Sequence, residues 1–437
     1  MLTIASRHFV ANNQPFFYLA DTAWNAFAVA TEAEWEEYVA YRSGQGFTAL
    51  QLSFLPILHD ASISPETFFP FECKADGSFD FLHLNDTYFQ RAERMVARAA
   101  EYGLTCAIAL LWCNYVPDTW ISQQHPEHVM PFDAITPYVT AVVERLKPYH
   151  PVYLISGDTD FRSEQTTNSY LKALTTVKQL SPNALTCFHI SPYADLPDSI
   201  VATPELDFYV YQSGHRREEQ HLPYTLAEKF SRLQPARPVI NSEPCYEGHG
   251  FGGEYGRFHA FDVRKAFWQS ILSGASAGFT YGAHGLWSWH RQGATFNNER
   301  WSQRPFTWKV ALQLPGASDV AFGKWIIERY DCFELVPQNE LLASPSEEIR
   351  LAMTPDHRTF MIYVPYSVPI HLHLDLSTYH VEGLHLSTRT LFRPRLTTTP
   401  TQSTIEMLDA NADYLLIGRR LSSRKADPAT SQSFFTQ

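Results

Sequence analysis

Two features of this 437-residue chain predict an α/β fold, a (β/α)8 TIM barrel followed by a C-terminal antiparallel β-sandwich domain. Over the first three quarters, eight short β-rich runs alternate with helical patterns, the mark of repeated βα units around a parallel sheet. After about Asp331 the pattern changes to alternating segments such as "EIRLAMT" and "RTFMIYVP" separated by turn residues. The expected division is 1–330 for the barrel, which would carry any catalysis, and 331–437 for the β-sandwich.

The eight strand candidates are 16–20, 48–54, 104–112, 152–156, 184–190, 207–212, 238–243 and 277–283. Most are continuously apolar, as expected where helices cover one face of a parallel sheet and barrel packing fills the other. Of the intervening helices, the first is announced by Thr31 and Glu34 as a capping box, with Trp35, Tyr38 and Val39 on one face and Gly44 as the stop. The second spans 86–102, and others are expected near 134–147, 164–180, 224–233 and 262–273. Between strands five and six, "SPYADLPDSIVATPEL" carries three prolines and predicts an irregular excursion. The last stretch, "SSRKADPATSQSFFTQ", has the composition of a frayed tail.

Composition narrows the function. A net charge of -12 without clusters of Lys and Arg argues against nucleic acid as a partner. No apolar run reaches the length of a signal sequence at the start or of a membrane span later, so a soluble cytoplasmic protein without membrane partners is expected. The six cysteines follow neither CxxC nor finger-like spacing, which predicts reduced, mostly structural thiols. Aromatic residues make up 14% of the chain, a proportion that suits carbohydrate, nucleobase or partner surfaces.

In a (β/α)8 barrel the working face lies at the carboxyl ends of the strands. In chain order those ends offer Asp21, Trp24 and Asn25; Ser53 and His59; Trp112 and Asn114; Gly157 and Asp158; His189; Tyr211 and Gln212; Glu243 and Tyr246; then His284 and Trp287. Asp158 after strand four and Glu243 after strand seven face one another across such a mouth. Hydrolysis of a glycosidic bond needs two carboxyls, one protonated to donate to the leaving oxygen and one ionised to attack or to direct water. A separation of about 5–5.5 Å between them gives retention of configuration, and roughly 6.5–9.5 Å gives inversion. Asp160, Glu247 and Glu254 are further carboxylates that could enter the pair. Tyr211 is a candidate for holding Glu243, Trp287 for flooring a sugar subsite, and Asp21, Asn25 and His284 for reading ring hydroxyls. Trp24, Trp112, Gln212 and Tyr246 complete the expected substrate-binding set. A non-catalytic carbohydrate-binding scaffold would use the same mouth and predicts binding without release of sugar. The two-carboxylate chemistry calls for no cofactor and no metal. The paired-histidine spacing of a metal-dependent barrel hydrolase is missing from the first strand, and "HLH" at His371 and His373 falls in the β domain.

Four motifs carry a more specific resemblance: "YLADTAWNAF" at the first strand, "YLISGDTDF" at the fourth, "NSEPCYEG" at the seventh and "FTYGAHGLWSW" at the eighth. Together they resemble the apiosidase-like glycoside hydrolases, TIM-barrel enzymes, over residues 5–330. The segment "LAMTPDHRTFMIYVPYSVPIHLHLDL" is similar to the collagen-binding type of β domain that often follows such barrels. The resemblance implies a carbohydrate substrate, Asp158 of the Gly-Asp motif as acid/base and Glu243 as nucleophile. It also implies a retaining β-apiosidase-like or other exo-acting glycosidase on plant-derived glycosides or oligosaccharides. One departure from the commonest retaining barrels is that Gly157, and not Asn, precedes the acid.

Overall fold

The protein is described here by a computed structural model covering residues 1–59, 62, 67–75, 78–343, 346–408 and 411–421. The chain forms two compact units, Met1–Val336 and Pro337–Gln437, and the tail from Ser422 lies outside the described residues. In the first unit eight parallel strands form a nearly closed barrel: β1 (Tyr18–Thr22), β2 (Ala49–Ser53), β3 (Thr105–Trp112), β4 (Val152–Gly157), β5 (Thr186–Cys187), β6 (Tyr209–Gln212), β7 (Val239–Glu243) and β8 (Gly278–Tyr281). Strand pairing runs in chain order and closes between β8 and β1. The seam between β5 and β6 is held instead by Asp207, whose N–H donates to Thr186 O at 3.0 Å while its carboxylate accepts from Thr186 N at 2.8 Å.

Helices on the outer face follow the strands: α1 (Glu32–Gly44), α2 (Asp86–Glu101), α3 (Phe132–Leu146), α4 (Glu164–Leu180), α5 (Asp198–Ala202), α6 (Leu222–Ser231), α7 (Ala260–Ile271) and α8 (Gly316–Arg329). The capping box of α1 is formed: Thr31 Oγ1 accepts from Glu34 N at 3.2 Å, and Glu34 Oε2 accepts from Thr31 N at 2.8 Å. Two elements differ from the sequence reading. The fifth strand shrinks to two residues, and the proline-rich excursion after it winds one short helix, α5. The sequence reading also missed α8, because Gly316 and Gly323 interrupt its apolar pattern. Gly323 has a packing reason, since an added Cβ would stand 2.4 Å from the Phe267 ring of α7.

Polar side chains inside the barrel fix the register on which the mouth depends. Gln51 of β2 donates to Ser242 O on β7 at 2.9 Å and accepts from Thr280 Oγ1 on β8 at 3.2 Å. Asn241 of β7 donates to Ser213 and Ser270. The β6–β7 register shifts between Tyr211 and Gln212, so that Gln212 pairs with Glu243 and the carbonyl of Glu243 accepts from Ser213 N and Gly214 N. Such bulges re-aim side chains at barrel rims.

Asp21, expected in the mouth, is completely buried. Its Oδ2 accepts from Arg42 Nε at 2.6 Å and from the Tyr38 hydroxyl at 2.9 Å, binding α1 to β1. Burial raises the pKa of Asp21 in spite of the guanidinium beside it. Arg42 also donates to Leu312 O, so the pair ties the first βα unit to the segment before α8.

The second unit is a β-sandwich. One sheet runs Arg350–Met353, Thr359–Val364, Tyr414–Arg420, Tyr379–His385, Thr390–Phe392; the other runs Ile370–Leu372, Ser403–Ile405, Leu396–Thr398. Leu351, Phe360, Ile362 and Leu416 from the first meet Ile370, Leu372 and Ile405 from the second in a common apolar core.

Removing one member of a buried ion pair strands the other charge, at a cost of about 3–5 kcal/mol. Arg42→Ala and Asp21→Ala are each expected to lower stability by about that amount, and the double variant by less than their sum. Denaturant titration of the three variants checks this.

Candidate active site

The carboxyl ends of the strands surround a cavity of about 770 Å³. Glu243 and Asp158 both line it, and so do Trp24, Trp112, Gln212, Tyr246 and Trp287 of the expected binding set. Four expected residues do not. Asp21 is held in the pair with Arg42. Asn25 serves as a loop staple, its backbone N–H donating to Trp287 O at 3.0 Å and its side-chain oxygen accepting from Ile57 N at 3.3 Å. Tyr211 points the other way along the pleat, donating to Pro223 O at 2.8 Å and stacking on Phe230, so it cannot hold Glu243. His284 is buried behind the wall, where Nε2 bonds Gln303 O at 2.7 Å and Nδ1 accepts from Trp287 Nε1 at 3.2 Å. It therefore orients the Trp287 indole instead of meeting the cavity.

Two imidazoles hold Glu243. His215 Nε2 lies 3.0 Å from Oε1 and His189 Nε2 lies 3.3 Å from Oε2, the second contact out of line for a good hydrogen bond. Desolvation alone would raise the carboxyl pKa, but the polar contacts and positive potential of His189 and His215 outweigh it, lowering the value from 4.5 to about 2. Glu243 is thus a buried carboxylate held in its ionised form at the wall of the cavity.

The His189 ring also touches the second carboxyl residue. Its Nδ1 accepts the backbone N–H of Asp158 at 3.1 Å, so Nδ1 keeps its lone pair and the ring proton sits on Nε2, facing Glu243. Asp158 adopts a left-handed conformation, φ 52°, one that Asp tolerates better than most residues. Its carbonyl accepts from Trp120 Nε1 at 3.0 Å. Gly157 is required before it, because a Cβ there would lie 2.2 Å from the Trp112 ring. Trp112 in turn packs on Trp24 and His189, with ring centroids 5.1 and 6.2 Å apart.

The other carboxylates are engaged elsewhere. Asp160 lines the cavity but pairs with Arg162 and accepts from Trp120 N. Glu247 is buried, accepting from the Tyr281 hydroxyl at 2.6 Å and from Gly316 N at 2.8 Å. Glu254 lies exposed on the glycine-rich loop after β7.

The sequence reading of this region missed two histidines. His215, three residues beyond β6, and His249, in the loop after β7, stack with ring centroids 4.4 Å apart. Extending the strand-end window by a few residues would have found both. His249 Nδ1 bonds Gly250 O at 2.6 Å, and burial, then the neighbouring His215 and His284, push its pKa well below the ordinary value. Its Nε2 is therefore an acceptor in a ring that lines the cavity.

The apiosidase-like catalytic domain profile matches residues 5–334. The chain belongs to the apiosidase-like family. No curated protein matches it. Among solved structures it is similar to a glycoside hydrolase with TM-score 0.79 at 20% identity, covering 97% of each chain. It is also similar to a glycoside hydrolase family 5 protein from Bacteroides vulgatus, TM-score 0.79 at 20% identity, over 96% of this chain and 93% of that one. A family 5 mannosidase from Rhizomucor miehei aligns with TM-score 0.52 at 12% identity over 75% and 98%. The apiosidase-like chain is thus a glycosidase by family, on a fold shared with other glycoside hydrolases. Among its described residues, no helix is long and apolar enough to cross a membrane.

Because folding lowers the Glu243 pKa, the stabilisation gained from its ionised form is complete above about pH 4.5 and is lost as pH falls toward 2. The stability difference between wild type and Glu243→Gln is expected to fade across that window in denaturation measured from pH 6 to pH 2. Replacing His215 with Phe removes a hydrogen-bond donor, and the acid limb of kcat/KM should move toward neutral pH by roughly one unit or more.

Proposed function

We propose that this apiosidase-like domain is a retaining, exo-acting glycosidase in which Glu243 is the nucleophile and Asp158 the acid/base. Glu243 attacks the anomeric carbon as the glycosidic C–O bond breaks, and Asp158 gives its proton to the departing oxygen. Asp158 then takes a proton from water, which attacks the glycosyl-enzyme, frees the sugar and returns Glu243 as a carboxylate. The observation that carries the reading is an ionised Glu243 inside the same cavity as Asp158, with one imidazole touching both residues.

Recognition of the sugar falls to groups with unmet bonding capacity. Trp112 Nε1 and Gln212 Oε1 are buried without a hydrogen-bond partner although both side chains line the cavity. A donor, an acceptor and the lone pair of His249 Nε2 would together read three sugar hydroxyls, while Trp24 and Trp287 cover apolar C–H faces. Family membership favours a terminal apiose, and the plant-derived glycosides that carry it, as substrate.

Turnover of an aryl apioside is expected to be abolished in Glu243→Gln. In Asp158→Asn it should fall about 10²–10⁴-fold with poor leaving groups and much less with an activated nitrophenyl leaving group. Proton NMR of the first-formed sugar should show the substrate's anomeric configuration. Undiminished turnover in Glu243→Gln, or first-formed product of opposite configuration, would overturn the mechanism. Lack of activity on apiosides alongside turnover of another glycoside in an aryl-glycoside panel would overturn only the sugar.

A further inference from the structure

Outside the cavity, the segment between β3 and α3 brings three metal-ligating side chains together. His125, Glu127 and His128 sit on and beside a single 3-10 turn, Pro126–His128, with one ligand atom from each lying within 4.8 Å of the others. His125 Nδ1 is 3.2 Å from Glu127 Oε1, and His128 Nδ1 is 3.9 Å from that same oxygen. A tetrahedral zinc ion with bonds of about 2.0–2.1 Å sets its ligand atoms roughly 3.3 Å apart, so only small side-chain rotations separate this trio from coordination. His128 supplies a second observation. Its Nδ1 is buried without a hydrogen-bond partner, while its ring packs on Phe79 with centroids 5.5 Å apart. An aromatic wall thus fixes the ring with an unused lone pair or N–H turned toward Glu127.

We propose that His125, Glu127 and His128 form a site for a zinc-class divalent cation, with water in the fourth position. Two imidazole nitrogens and one carboxylate oxygen select a borderline metal over calcium or magnesium, which prefer all-oxygen shells. On binding, His125 gives up the Nδ1 contact to Glu127 and carries its proton on Nε2, so both imidazoles ligate in the neutral form. None of the three residues lines the cavity, and the role is structural. The same segment carries Trp120, which bonds Asp158 O and Asp160 and forms part of the cavity wall, so the ion would clamp the wall from behind.

The test uses the full chain after dialysis against chelator, titrated calorimetrically with zinc chloride and spectroscopically with cobalt(II) as a coloured substitute. Wild type is expected to bind one equivalent through this site, with tetrahedral-type visible bands for cobalt and a raised unfolding temperature with zinc. Glu127→Gln and His125→Gln, both at partly open positions where folding is not at stake, should each weaken that binding at least tenfold, and His128→Gln likewise. Absence of zinc binding by wild type, or unchanged stoichiometry and affinity in both Glu127→Gln and His125→Gln, would overturn the assignment.

Discussion

A buried negative charge needs compensation, and in this barrel Glu243 receives it from two histidines. Desolvation is the largest single influence on the carboxyl and raises its pKa; the contacts with His189 and His215 turn the net shift downward. The arrangement around the mouth follows from that need. The bulge before Gln212 and the cross-barrel bonds of Gln51 set the end of β7, while the Asp158 amide fixes which nitrogen of His189 carries the proton. The ring turns its N–H nitrogen toward Glu243, at 3.3 Å, because the backbone N–H of the other carboxyl residue occupies its lone pair.

Environment, more than residue type, separates the acidic groups of this face. Asp21 and Glu247 are as deeply buried as Glu243, yet their partners are other structural elements: Arg42 and Tyr38 for the one, Tyr281 and the start of α8 for the other. Burial raises the pKa of both. Asp160 shares the cavity but spends its charge on Arg162. Glu243 combines burial, access to the cavity and a lowered pKa, which sets it apart from Asp21, Asp160 and Glu247.

The barrel was legible because its strands are long apolar runs punctuated by turn residues, and position at a strand end was enough to anticipate that Asp158, Glu243, Trp24, Trp112, Gln212, Tyr246 and Trp287 line the cavity. What sequence could not supply was direction. Asp21 and Tyr211 also lie at strand ends, but the pleat of a strand turns alternate side chains to opposite faces, and a register shift at Tyr211 changes which residue faces inward. His215 and His249 sit on loops whose path depends on the folded barrel, so their stacking beside Glu243 has no local signature. The helix α8 was hidden for the reverse reason: its glycines answer to packing on α7, a tertiary cause that periodicity does not record.

Gly157 bears on how this site could have arisen or could change. The six-membered edge of Trp112 occupies the volume that any larger residue at this position would need. An asparagine here, the residue that precedes the acid in the commonest retaining barrels, would require the indole to swing away, and with it the platform beneath His189. Position 157 is thus coupled to the Trp112 indole and, through its stacking, to His189, so the β4 end and the imidazole beside Glu243 can change only together.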